Sequence, residues 1–373
     1  MSWEAKHCWE NWTDHLGVLD TPAVACLHRT GVALLDVDAV PKPSMLALLD
    51  EAGVPYEEWD PATLATQVPS IDTGRFGPPK RLDDDAFWAQ ADGRLGAVFT
   101  PDAGFVDDPM LAAVNLADAA RRRGVEFLFH REVVAVRHRG GRVAGLDLAD
   151  GGRIDCPIVV NVAGPWSSML NTLAGVGDDF TIAVRPMRQE VHHVSAPPGY
   201  NNGAVFGPCV ADLDLGVYVR ATPGDGMLIG GTEPDCDPLQ WLDDPNQANP
   251  NPTPHMFETQ VVRAARRFPG LAVPSRPRGI AGVYDVAEDW TPIYDRTALD
   301  GFYVAMGTSG NQFKNAPIVG RVMAEIIGAV EAGRDHDADP VCLVGAHTGL
   351  EIDLGAFSRK RGRNENSSMS VMG

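Results

Sequence analysis

"GFYVAMGTSGNQFKNAPIVG", residues 301–320, reads as an apolar strand, a glycine turn and the start of a helix. Gly307 and Gly310 remove Cβ atoms where a flat ligand could pass. The helix starts near Asn315 and Pro317, and its free N–H groups and partial positive charge favour an anion at that end. Val319, Val322, Met323, Ile326, Ile327 and Val330 fall on one apolar face. An ordinary strand-to-helix turn has the same spacing, so the spacing leaves both readings open.

A second unit of this kind, "IVVNVAGPWSSMLNTLAG", spans residues 158–175. Its continuous apolar run is of the buried parallel-strand type. Between the two units, "EVHHV", "GVYVRAT" and "GMLIGGTE" alternate as antiparallel strands do. Asp108 and Pro109 open a helix, followed by an apolar strand at 125–129 and a meander rich in glycine turns. "VACLHRTGVALLDVD", residues 24–38, reads as a β-hairpin. A helix is expected over roughly 255–268.

This order predicts an α/β (α+β) chain, a cofactor-binding domain interleaved with a mostly antiparallel β domain. The N-terminal helix occupies 1–20 and the two parts of the β domain occupy 21–105 and 178–278. The parts of the cofactor domain occupy 106–177 and 279–335. A polar, basic tail, 336–373, is expected to be solvated and partly disordered.

The chain has 373 residues, 44% of them hydrophobic, enough for a sizeable core. Its 31 basic against 50 acidic residues give a net charge of −19. That excludes nucleic acid and anionic membranes as the main partners and suits a cytoplasmic enzyme. The six cysteines form no CxxC pair and read as free thiols in a reducing compartment. The histidines show no metal-ligand spacing, so no metal is expected. No apolar run reaches the ~20 residues of a membrane-spanning helix.

"GVYDVAEDWTPIYDR" (282–296) followed by "GFYVAMGTSGNQFK" resembles the C-terminal flavin motif of the D-amino-acid-oxidase-like (DAO) superfamily of FAD-dependent oxidoreductases. That group includes glycine oxidase and the sarcosine and dimethylglycine dehydrogenases. "VVNVAGPWS" resembles its second flavin-domain turn, and "VRPMRQEVHHV" the first long strand of its substrate domain. The resemblance runs from about residue 9 to about 335. It implies FAD as cofactor and oxidation of the C–N bond of a small amino acid, such as sarcosine, dimethylglycine, a D-amino acid or an imino acid. It places Gly307, Thr308, Ser309, Gly310, Asn311, Gln312, Phe313 and Lys314 along the isoalloxazine, Val133 at the adenine, and Ala163 and Gly164 near the ribose and pyrophosphate. Lys314 would anchor the substrate carboxylate, with Arg188 or Arg220 as a second cation. Tyr218 and Tyr284 would wall the pocket, and His193 or His192 would aid deprotonation. An electron acceptor or a second subunit is an implied partner.

The sequence departs from the family in one large respect. The strand–GxGxxG–helix unit that opens such chains has no counterpart here, so the sequence reads as a form truncated before that unit. Supply of the unit by another chain, or a flavin-free protein that binds a partner, are the alternatives. Gly282 aligns where covalent members carry a flavin-linked cysteine, so no thioether link is expected there.

Overall fold

The computed structural model describes residues 1–203 and 205–372. Two β-systems organise it. The larger is a nine-stranded sheet. It joins Val32–Leu35, Glu57–Trp59 and Ala97–Thr100 to Val184–Ser195, Cys209–Asp212, Val217–Thr222, Gly226–Gly231, Gln240–Trp241 and Gly279–Ala287. Its strands alternate in burial, as period-2 patterning requires. Ala33, Leu35, Val217, Val219, Ala221, Met227 and Ile229 form one face, packed on Phe257, Val261, Ala264 and Phe268. Those four lie on or just beyond the helix Pro254–Arg267, whose N-terminus is capped by Thr253 and opened by Pro254. The opposite face carries Tyr218 and Tyr284.

The smaller system is a three-stranded sheet in the order Ile293–Arg296, Phe302–Met306, Val159–Asn161. Phe302 pairs with Val159 in parallel register, as the two apolar runs predict. The helix Ala316–Glu331 packs Val322, Met323 and Ile326 against Tyr294 and Tyr303 of this sheet. Beyond Val159–Asn161 no further strand pairs among the described residues. The meander forms as expected, over Val133–Arg139, Arg142–Leu148 and Arg153–Asp155. None of the helices of the described residues is long and apolar enough to cross a membrane.

Four expectations change. Residues 24–38 are not a hairpin: Leu27–His28 pairs with Phe105–Val106, and Val32–Leu35 pairs with Ala97–Thr100 and Cys209–Asp212. Residues 125–129 form no ladder, and Val125, Phe127, Leu128 and Phe129 stay exposed, because no strand lies beside them among the described residues. Gly279–Ala287 belongs to the large sheet, paired along its length with Val184–Ser195, so the β domain runs past residue 278.

The tail is folded. Cys342–Val344 and Glu351–Asp353 form a small antiparallel pair. Arg359 is 1% exposed and bridges Asp179, Asp295 and Asp337 at 2.8, 3.0 and 2.7 Å. Arg359 and Arg361 reach the fully buried carboxylates of Asp295 and Asp289, which composition alone could not show.

Candidate active site

The glycine turn after Met306 is strapped to the large sheet by Asp285. This carboxylate, 3% exposed, accepts the Gly307 N–H at 2.7 Å and the Thr308 hydroxyl. The Ser309 N–H donates to the Asp285 carbonyl at 3.0 Å, and the Ser309 hydroxyl accepts the Ala287 N–H at 3.1 Å. Gly307, Ser309 and Gly310 all have positive φ, of 70°, 50° and 70°. Gly310 must be glycine for a second reason: a Cβ there would lie 2.2 Å from the Tyr284 ring. The sequence reading passed over Asp285. Its only signal was an acidic residue within an otherwise apolar strand, "GVYDVA".

Asn161, fully buried, organises the other turn in the same way. It donates to the Ser167 carbonyl and to Asn171, and accepts the Ala163 N–H at 3.0 Å.

A cavity of about 550 Å³ opens between these two turns and the helix Ala316–Glu331. Of the residues expected to line a cofactor, it gathers Gly164, Thr308, Gln312 and Phe313, backed by Val160, Val162 and Ala305. Gln312 is fixed by the Tyr294 hydroxyl at 3.1 Å and by Asn315 at 2.8 Å. A Cβ on Gly164 would meet nothing within 4 Å. The wall is largely apolar, the volume suits a cofactor-sized ligand, and the residues present fit a flat heteroaromatic ring. No G-x-G-x-x-G turn for a pyrophosphate is among them.

The other expected lining residues act differently. Gly307 and Ser309 build the turn. Asn311 is buried and donates to the Trp290 carbonyl at 3.2 Å. Ala163 sits beside the cavity without lining it. Val133 begins the meander, paired with Leu148, and is not part of the cavity wall.

Strand register sorts the substrate candidates. Residues directly opposite on paired strands share a face. Tyr218 pairs with Gly230, Gly230 with Val191, and Met187 with Tyr284, so Tyr218 and Tyr284 share the face turned toward the glycine turn. The Tyr218 ring lies over Gly230, where a Cβ would be 2.3 Å away. Burial pushes the Tyr218 hydroxyl up to about 12 and raises Tyr284 well above its ordinary value, so both stay protonated at neutral pH. Lys314 is solvent-accessible as a residue, yet protein crowds its ammonium and desolvation lowers its pKa. It lines a separate cavity of about 350 Å³ with Trp3, Trp9, Val32 and Thr100.

Arg220 shares the Tyr218 face and lies over the Phe105 ring at 4.8 Å. Arg188 points to the opposite face, where it donates four hydrogen bonds, to Glu190, Gln240 and the Asn249 and Asn251 carbonyls. It is a structural cation and leaves the list of substrate anchors. His192 also turns away, buried edge-on against Phe257 at 5.2 Å. His193 is on the right face but sits by Gly226 and Arg278, about 20 Å along the strand from Met187 at ~3.3 Å per residue. The structure therefore separates it from Tyr284 and Lys314.

A residue the sequence reading did not select joins the group. Glu233 follows "GMLIGGT" with a left-handed φ of 52°. Burial pushes its carboxyl up to about 8. The C-terminal tail reaches the same place: Val371 packs on the cluster of Met187, Val286 and Trp290, against which Tyr284 and Trp241 also pack. No group of His, Cys, Asp and Glu among the described residues could hold a metal ion.

Comparison with known proteins agrees with this architecture. The chain is 29% identical over 215 residues to sarcosine oxidase subunit beta of Rhodobacter capsulatus, covering 58% of this chain and 47% of that protein. It is 29% identical over 191 residues to mouse FAD-dependent oxidoreductase domain-containing protein 1, covering 47% and 36%. The chain thus spans about half or less of the curated relatives it matches. In fold it is similar to L-proline dehydrogenase from P. horikoshii, with a TM-score of 0.68, 20% identity and coverage of 91% and 81%. Glycine oxidase from Bacillus cereus superposes with a TM-score of 0.64 at 18% identity, covering 90% and 81%. The family model described as FAD dependent oxidoreductase (DAO) matches residues 1–326, and the chain belongs to that family.

Proposed function

We propose that this chain uses FAD to oxidise the C–N bond of a small amino acid. The observation that carries the reading is one junction. The apolar cavity at the two glycine turns meets, across Gly310, a sheet face bearing Tyr284 and Tyr218, with Lys314 beside the turn.

Gly164, Thr308, Gln312 and Phe313 would hold the flavin ring system, with Val160, Val162 and Ala305 against its apolar surface. Bound FAD would supply the acceptor for the hydride that leaves the substrate carbon. The residues of the chain do the rest. Lys314 attracts the substrate carboxylate as a compact point charge. Tyr218 and Tyr284, both protonated, wall the reacting carbon and present hydroxyl donors. The sheet face and the turn exclude water from the C–N bond. Loss of a hydride, two electrons and a proton, from the neutral amine leaves an iminium ion, which hydrolyses in water.

The supporting relatives include a sarcosine oxidase subunit and, by fold, proteins named for L-proline and glycine. The test is anaerobic: protein equilibrated with FAD and desalted is challenged with sarcosine, dimethylglycine, L-proline, glycine and D-amino acids. Bleaching of flavin absorbance by one of them is the expected result. A protein that retains no flavin would refute the reading. It would favour the second one, a flavin-free chain that binds a partner through the exposed residues 125–129 and the unpaired side of Val159–Asn161.

A further inference from the structure

Two backbone groups of the tail are held by side chains of opposite kind, a carboxyl group and an ammonium. The Val371 N–H donates to Glu233 Oε2 at 3.0 Å. Lys314 Nζ donates to the Met372 carbonyl at 3.4 Å. Between these contacts the Val371 side chain packs on Met187, Val286 and Trp290, the cluster that Tyr284 also borders. Ser370 is 2% exposed, so the tail enters the fold rather than lying along it.

The pattern parallels that of an amino acid, spread here over two consecutive residues: a nitrogen-bound proton presented to a carboxyl group, an oxygen presented to an ammonium, and an apolar group between. We propose that Glu233 receives the substrate's amine while Lys314 receives its carboxylate, and that residues 368–372 hold this site closed in the resting chain as a stand-in for substrate. The proposal rests on the amino-acid reading above and adds a residue and a closed state to it.

Chemistry supports Glu233 in this part. Hydride departure needs a neutral nitrogen, and an amino acid arrives with a protonated one. The ionised Glu233 carboxylate can accept that proton, which leaves a neutral amine beside a neutral carboxylic acid. No other reactant is needed. Its burial makes it a stronger base than an exposed glutamate, as an acceptor near neutral pH must be. The Val371 amide, a weaker donor than an ammonium, can be displaced by substrate.

The test is calorimetric titration with sarcosine and with butyrate, which replaces the nitrogen by a methylene. The full chain is compared with a chain ending at Ser367 and with Val371→Pro, which removes the donated N–H together with the valine side chain. Both variants should bind sarcosine about tenfold more tightly or better, because a closed fraction no longer reduces the apparent affinity. Adding Glu233→Gln to the shortened chain should weaken sarcosine by about tenfold, the effect of a lost charge-assisted hydrogen bond, and leave butyrate within about twofold. Equal affinity of the full and opened chains, or no sarcosine binding to any of them, would overturn the closed state. Equal weakening of sarcosine and butyrate by Glu233→Gln would overturn the amine role. Failure of the flavin reading would show separately, as absence of retained flavin, with the sarcosine preference intact.

Discussion

Replacing Arg359 by methionine should cost this protein about 3 kcal/mol of stability at pH 7, and much less in acid. The guanidinium is buried between Asp179, Asp295 and Asp337. Removing one partner of such a buried network typically costs about 3–5 kcal/mol, because the remaining charge is left without compensation. The low end applies here. Asp295, itself 0% exposed, keeps the Ser358 hydroxyl at 3.0 Å and the backbone N–H of residue 359 at 2.8 Å. Asp179 and Asp337 are partly open and can rehydrate. The pH dependence follows from Asp337. Burial alone would raise its pKa, but hydrogen bonds from Arg359 and Lys360 outweigh burial and hold it well below the ordinary value of 3.8. A carboxyl with a depressed folded pKa contributes stability above its unfolded pKa and loses it as pH falls through the folded one. The wild-type advantage should therefore be full at pH 5–7 and shrink below about pH 4. Urea unfolding of both proteins at pH 7 and pH 3, read as a midpoint shift at constant slope, measures it. A loss under about 1 kcal/mol at pH 7, or one of equal size at pH 3, would refute the reasoning.

Other expectations concern the site itself. Gly310→Ala adds a Cβ at positive φ against the Tyr284 ring and should destabilise by about 1–3 kcal/mol. A double-mutant cycle with Tyr284→Ala should recover part of this, and strict additivity would count against the close contact. Arg188→Leu removes the cation beside buried Glu190, which keeps only its Thr253 donors, and should cost about 3 kcal/mol. Sarcosine affinity of its folded fraction should hold, and a selective loss of affinity would restore Arg188 as a substrate anchor. Glu233 has a folded pKa near 8, above its ordinary 4.5, so the native chain carries an extra proton between those values. Stability should fall as pH rises through that window, and Glu233→Gln should flatten the fall in thermal melts between pH 5 and pH 8.5.

The parts legible in the sequence are those written locally. The strand–turn–helix units, the capped helix after Thr253 and the meander each depend on residues near one another in the chain. Register was not legible. His192 and His193 lie on opposite faces by simple alternation, but which face meets the turn follows from the pairing of Met187 with Tyr284. Arg188 and Arg220 were equal candidates until that pairing sent one to each side. The tail misled because its composition is that of a solvated segment, whereas its partners Asp179, Asp295 and Glu233 are remote in sequence. Residues 125–129 misled for the converse reason: an apolar run states that a strand needs company, not that it has any.

Asp285 belongs to one strand of the large sheet, yet it carries the floor of the glycine turn. A sideways slip of that strand would drag the turn along, and a ligand pressing on the turn would push back on the strand. Occupancy of the ring cavity and occupancy of the amino-acid pocket should therefore be felt by each other with equal strength in both directions. The joint between the two halves behaves as a rivet rather than a hinge.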